Sequence, residues 1–174
     1  MSEVVQIGQF QWLTPAPAMW HLPDPPKGTR LSITITDLGW IDENGIERWL
    51  RRGFPTDGVS FPWIARAGLG LDPWGKSLRE AIPHDAGYSL QDYVDFQWLG
   101  TKGQVDRRFL VGGVANGNPK AMLYYRAVST FGGPSWNREN QPLVDGYVLA
   151  CREGINDRWI DLVQNGKVLP LRAA

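Results

Sequence analysis

Cysteine, histidine and unbalanced charge are what this chain has least of, and each shortage removes a class of protein. Cys151 is the single cysteine, so neither an intramolecular disulfide framework nor a cysteine-rich zinc cluster can be built. Lys plus Arg and Asp plus Glu both number 18, so no global field draws the chain toward nucleic acid or an anionic membrane, and no nucleic-acid partner is expected. No apolar run approaches the roughly 18 residues of a spanning helix. The opening MSEVVQIGQFQWL lacks the basic start of an export signal. The expectation is a protein with no transmembrane segment and no export signal. Tryptophan (9), glycine (20) and proline (13) are plentiful instead, which suits many turns held between large aromatic anchors. A length of 174 residues suits a single domain over 1–174.

The hydrophobic period changes along the chain. Residues 4–12 and 31–36 read as strands, the second with Leu31, Ile33 and Ile35 on one face. Five prolines between them predict a surface loop without regular pairing. Asn44-Gly45 predicts a hairpin joining Trp40-Ile41 to Ile46–Leu50. Helices are predicted over 76–90, 104–115 and 118–131, the last opened by Asn118-Pro119 and closed at Gly132-Gly133. After residue 137 the runs GYVLAC, RWIDLVQ and KVLPL, the last two separated by Asn165-Gly166, predict a β extension. Strands, a central block of about three helices and strands again, without regular alternation, predict an α+β fold.

The stretch AIPHDAGY, residues 81–88, carries the chemistry-bearing residues. Pro83 has no N–H for the carbonyl of Arg79, so a helix through it must kink or be satisfied otherwise. His84 and Tyr88 are i and i+4 and share a face, whereas Asp85 turns about 100° away. The two neighbours should therefore serve different partners. A general base needs an acceptor on its second ring nitrogen, and Asp106 on the next helix can supply it with Phe109 packed beneath. Gly112 and Gly113 would let the two helices approach. The same residues could equally form a satisfied polar core or cap.

The spacing His84-Asp85-x-x-Tyr88, with Asp106 and Phe109 in a second helix, resembles the active-site helix pair of phospholipase A2. That resemblance implies His84 as general base for a water, Asp106 as its orienter, Tyr88 as a support of the network and Asp85 as a ligand of Ca2+. Calcium takes 6 to 8 oxygens. Gly68-Leu69-Gly70 and the carboxylate of Asp57 are the candidate additional suppliers here, and neither follows the family's glycine-rich loop.

A wider resemblance rests on Arg52–Pro62 (RGFPTDGVSFP), His84-Asp85-x-x-Tyr88, Asp106-x-x-Phe109, Tyr125-x-x-Val128 and Phe131-Gly132-x-x-x-Trp136. These motifs, in this order over residues 48–136, are similar to the domain of unknown function 1353 of phages and prophages. The resemblance implies a family core there, preceded by N-terminal strands and a Pro-rich loop in 1–47. It implies a phage context, in the host cytoplasm during infection or in the virion. Two functions then compete. One is a small hydrolase acting on a lipid or cell-envelope ester. The other is a non-catalytic tail or baseplate component whose partners are other phage structural proteins.

The remaining signals are local. Asp57-Gly58 is a turn signal, with Ser60 as a cap for a short helix over 63–67 or, with Asp57, as a contact for metal or substrate at the mouth of the His84 site. A Ser60–His84–Asp106 triad is a further arrangement, although GVSFP is not the Gly-x-Ser-x-Gly elbow. Arg107-Arg108 reads as a solvated charge pair, and Cys151 as a buried inert thiol in a strand.

Overall fold

The structure, a computed structural model, describes residues 8–23, 31–58, 77–132 and 141–167. Ser60, the glycines at 68 and 70, the helix expected over 63–67 and Trp136 lie outside them. The described residues have the α+β architecture expected: two small antiparallel sheets followed by helices.

The first sheet has the order β1 (Gln11–Trp12), β4 (Leu38–Ile41), β5 (Glu47–Leu50). The β4–β5 hairpin forms where Asn44-Gly45 predicts it. Asp42 drives its turn by accepting the Asn44 and Ile46 N–H groups on Oδ1, at 2.9 and 3.0 Å, while Gly45 takes φ +81°. The second sheet has the order β2 (Met19–His21), β3 (Ser32–Thr34), β6 (Pro55–Thr56). Here β2 corrects the expectation of an unpaired Pro-rich loop. Met19, Trp20 and His21 contain no proline, so their backbone can pair with Thr34, Ile33 and Ser32. Central in its sheet, β3 is buried on both faces, which overrides the alternation expected of it.

Helix α1 (Leu78–Ser89) runs through Pro83, and a 3-10 turn (Val94–Leu99) leads to α2 (Lys102–Ala115). Thr101 and Gln104 form a capping box that starts α2 two residues before the expected boundary. Helix α3 (Ala121–Phe131) begins later than Asn118-Pro119 suggests, because Asn118 instead turns the chain, its Oδ1 accepting the Lys120 N–H at 3.0 Å.

The C-terminal β extension is corrected at GYVLAC and RWIDLVQ, while KVLPL beyond Lys167 lies outside the described residues. Residues 141–153 form α4 (Gln141–Glu153) and residues 156–164 form α5 (Asn156–Gln164). GYVLAC alone looks like a strand, but Val144, Tyr147 and Val148 share one buried helical face. Trp159, Ile160 and Val163 do the same on α5. Asn165-Gly166 ends α5 rather than turning a hairpin: Gly166 has φ +64°, and Lys167 donates its N–H to the Leu162 carbonyl at 2.9 Å. Trp159 docks this pair of helices by donating Nε1–H to the Gly53 carbonyl at 2.9 Å. A Cβ on Gly53 or Gly146 would come within 2.6 or 2.4 Å of its indole.

The main core gathers Ile33, Trp40, Phe54, Ile82, Val111, Tyr147 and Trp159 from both sheets and four helices. A smaller cluster of Ala81, Phe109, Tyr124, Ala127 and Val128 joins α1, α2 and α3. Gly112 and Gly113 do face close neighbours, namely Trp12 and Ala121, each at 2.9 Å from a built Cβ. The tightest approach of α1 to α2 lies elsewhere: a Cβ on Gly87 of α1 would meet Val105 Cγ2 of α2 at 2.4 Å.

Candidate functional site

The α1–α2 pair brings His84, Tyr88 and Asp106 together. His84 Nε2 lies 3.0 Å from Asp106 Oδ1, and the Tyr88 hydroxyl donates to the same oxygen at 2.8 Å. The imidazole lies over Tyr88, with ring centroids 4.4 Å apart, and meets the edge of Phe109 at 5.1 Å. Residues 84 and 88 share a face because they are one helical turn apart. Phe109 is buried beneath the imidazole, as the spacing from Asp106 anticipates.

Lys102 completes the centre, and it was not among the residues singled out from sequence. Its Nζ donates to Asp106 Oδ2 at 2.6 Å and lies 5.6 Å from the centre of the Tyr88 ring. The signal was present as Lys-x-x-x-Asp, an i,i+4 pair, but the expected helix began at residue 104, after the lysine. Burial would raise the Asp106 pKa, but the hydrogen bonds from His84, Lys102 and Tyr88 reverse this and hold it below the ordinary carboxylate range.

An ionised carboxylate only accepts, so Nε2 of His84 carries the proton that it donates to Asp106. In neutral His84 the basic lone pair is therefore on Nδ1. Asp85 Oδ1 stands 3.9 Å from Nδ1, too far for a hydrogen bond, and acts on the ring through its charge. Burial disfavours the imidazolium, yet the interactions with Asp106 and Asp85 outweigh it and raise the His84 pKa above the ordinary histidine value.

Asp85 does serve a different partner from His84. The Thr56 hydroxyl of β6 donates to Asp85 Oδ2, and the Gly58 N–H donates to Thr56 Oγ1 at 3.0 Å. Thus the second sheet meets α1 through Thr56, the residue before Asp57. Sequence reasoning gave Thr56 no role, because its partner Asp85 lies 29 residues away and no local pattern links the two. Burial raises the Asp85 pKa more than His84 and Thr56 lower it. A buried carboxyl already held by the Thr56 hydroxyl is a poor start for a calcium shell. Among the described residues no three His, Cys, Asp or Glu side chains are grouped to hold a metal. The described side chains alone do not complete a Ca2+ shell, and Gly68-Leu69-Gly70 lie outside the described residues. Asp57 is half-buried at the Thr56 turn.

The other candidates fall elsewhere. His21 is on β2, with Nδ1 2.6 Å from Ser32 Oγ. Cys151 is half-buried on α4 rather than on a strand, and Asn156 Nδ2 lies 3.4 Å from its Sγ. Comparison of the chain with protein-family models, curated proteins and solved structures returned no match.

Proposed function

We propose that the chain is a phage-encoded small hydrolase in which His84 is the general base for a water attacking a lipid or cell-envelope ester. The observation that carries this reading is the division of the imidazole: Nε2 is tied to Asp106 at 3.0 Å, so the basic lone pair lies on Nδ1. Water hydrogen-bonded to Nδ1 gives its proton to the ring as its oxygen attacks the ester carbonyl, and the imidazolium returns that proton to the leaving alkoxide. Ester and water become acid and alcohol, and His84 ends neutral. Asp106 orients the ring and stabilises the imidazolium, while Tyr88 and Lys102 hold Asp106. The phage setting rests on the resemblance of residues 48–136 described above.

One observation favours a second reading, a virion component of a tail or baseplate in which the network is a structural core. His84 is only 9 % exposed, and Asp85 and Asp106 are more deeply buried still. Buried polar groups that are all paired can specify a fold without doing chemistry.

Assay of the purified chain on short-chain phospholipids and carboxylate esters, with and without calcium, separates the two. Hydrolysis that falls by about 100-fold or more in His84→Gln supports the base. Wild-type turnover no faster than that of His84→Gln removes the hydrolase reading and leaves the structural one.

A further inference from the structure

Arg107 and Arg108 are consecutive in sequence and face different surroundings. Arg107 is exposed and makes no hydrogen bond or ion pair among the described residues. Arg108 is half-buried: its Nη1 donates to the Leu99 carbonyl at 2.9 Å, and its Nε is buried with no hydrogen-bond partner among the described residues. The fold brings Arg48 of β5 to the same place. Together with Trp98, Asp42 and Glu43, the three arginines line an open cavity of about 300 Å³ between the β4–β5 hairpin and the start of α2.

Converging guanidiniums repel one another unless anions stand among them. Asp42 is already committed. Its Oδ1 accepts two hairpin N–H groups and its Oδ2 accepts Arg48 Nε at 3.0 Å. Glu43 adds charge beside Arg108 but forms no ion pair among the described residues. Three guanidiniums against two carboxylates leave one positive charge and several N–H donors without acceptors. Arg48 also lies 5.4 Å from the centre of the Trp98 ring, so the indole borders the cationic space.

We propose that this cavity binds a phosphate monoester, its oxygens held by Arg48, Arg107 and Arg108 and its organic body resting against Trp98. Guanidinium forks match phosphate oxygens pairwise, and three forks converging on one space exceed what the two oxygens of a carboxylate can use. On α2, Arg107 and Arg108 turn about 100° and 200° from Asp106, so this site is independent of the His84 centre.

Calorimetric titration of the whole chain with phenyl phosphate, inorganic phosphate and benzoate, at one fixed ionic strength, tests the proposal. Phenyl phosphate should bind with Kd near or below about 1 mM, more tightly than either of the others. Arg107→Gln, at an exposed position, should melt with the wild type and weaken phenyl phosphate by about tenfold. Three results would each overturn the proposal: no heat with phenyl phosphate, benzoate or inorganic phosphate binding equally well, or unchanged affinity in a folded Arg107→Gln.

Discussion

Lys102 and Asp106 stand one turn apart on α2, with the lysine Nζ 2.6 Å from Oδ2 while His84 Nε2 lies 3.0 Å from Oδ1. One carboxylate thus has a cationic donor on one oxygen and an imidazole on the other. His84, Lys102 and Tyr88 together favour ionised Asp106, and an ionised Asp106 fixes which nitrogen of His84 is basic. A residue outside the His-Asp pair therefore supports the tautomer on which any chemistry there depends.

Replacing Lys102 by Met should expose this dependence. The side chain is partly solvated, so solvent screening limits the expected loss at pH 7 to about 1 kcal/mol. The pH dependence is more specific. Asp106 has a folded pKa below its unfolded value, so its contribution is present above about pH 4 and lost as pH falls through the depressed folded value. Without Lys102 the folded value moves up toward the unfolded one, so that loss should be smaller and complete at higher pH. Denaturant unfolding of both proteins between neutral pH and about pH 2.5 measures it, and overlapping acid limbs would mean that Lys102 does not hold the carboxylate.

His84 should show the opposite sign. Its folded pKa is raised, so its contribution is fully present below the unfolded value of about 6.5 and is lost as pH rises through the raised folded value. If His84 is the base, kcat/KM for an ester should climb over the same interval, because only the neutral ring accepts a proton. Asp85→Asn removes one of the charges that favour the imidazolium and should move both curves to lower pH. NMR titration of the His84 ring reports the pKa directly. A pKa unmoved by Asp85→Asn would show that the carboxylate 3.9 Å away has no hold on the ring.

Glu80 offers a separate test of burial. It is 1 % exposed on α1, where Asn118 Nδ2 donates to Oε1 at 3.0 Å and Asn116 reaches Oε2 at 3.4 Å. Burial raises its pKa despite these amides, so the ionised form is penalised and its stabilising balance declines as pH rises through the raised value. Glu80→Gln should therefore flatten the stability profile above the ordinary carboxylate range. A variant whose profile parallels the wild type from pH 5 to 8 would show that Glu80 does not titrate there.

The central site was legible because its spacing is short-range. His84 and Tyr88 are fixed on one face by helical geometry alone, and Asp106 with Phe109 repeats the same logic on the next helix. The Asp42–Gly45 hairpin was legible for a similar reason, since its turn chemistry is contained in the turn. What failed depended on context. GYVLAC is a strand in a six-residue window and a helix in a thirteen-residue one, and Asn165-Gly166 can turn a hairpin or stop a helix with the same positive φ. Thr56 meets Asp85, and Arg48 meets Arg107 and Arg108 around the cavity, only through tertiary folding, so no local pattern announces either meeting. The close helix approach was expected at Gly112 and Gly113, whereas its tightest point is a glycine beside the His-Asp pair itself.

That glycine permits the sharpest test of the helix pair. A Cβ on Gly87 would stand 2.4 and 2.6 Å from the two methyls of Val105, which is 1 % exposed and cannot turn into solvent. Alanine favours a helix over glycine by about 1 kcal/mol, so propensity alone predicts that Gly87→Ala stabilises. Overpacking costs about 1–3 kcal/mol and should win, giving net destabilisation. Val105→Ala removes the colliding methyls at its own cost of a small cavity, so the double variant should be more stable than the two single changes predict by addition. Because α1 and α2 carry His84 and Asp106, forcing them apart should lengthen the Nε2–Oδ1 bond and lower the His84 pKa in Gly87→Ala, with recovery in the double variant. Denaturant unfolding of the four proteins and NMR titration of His84 read both effects. Strict additivity with an unmoved pKa would show that the Gly87–Val105 contact does not set the approach on which the site depends.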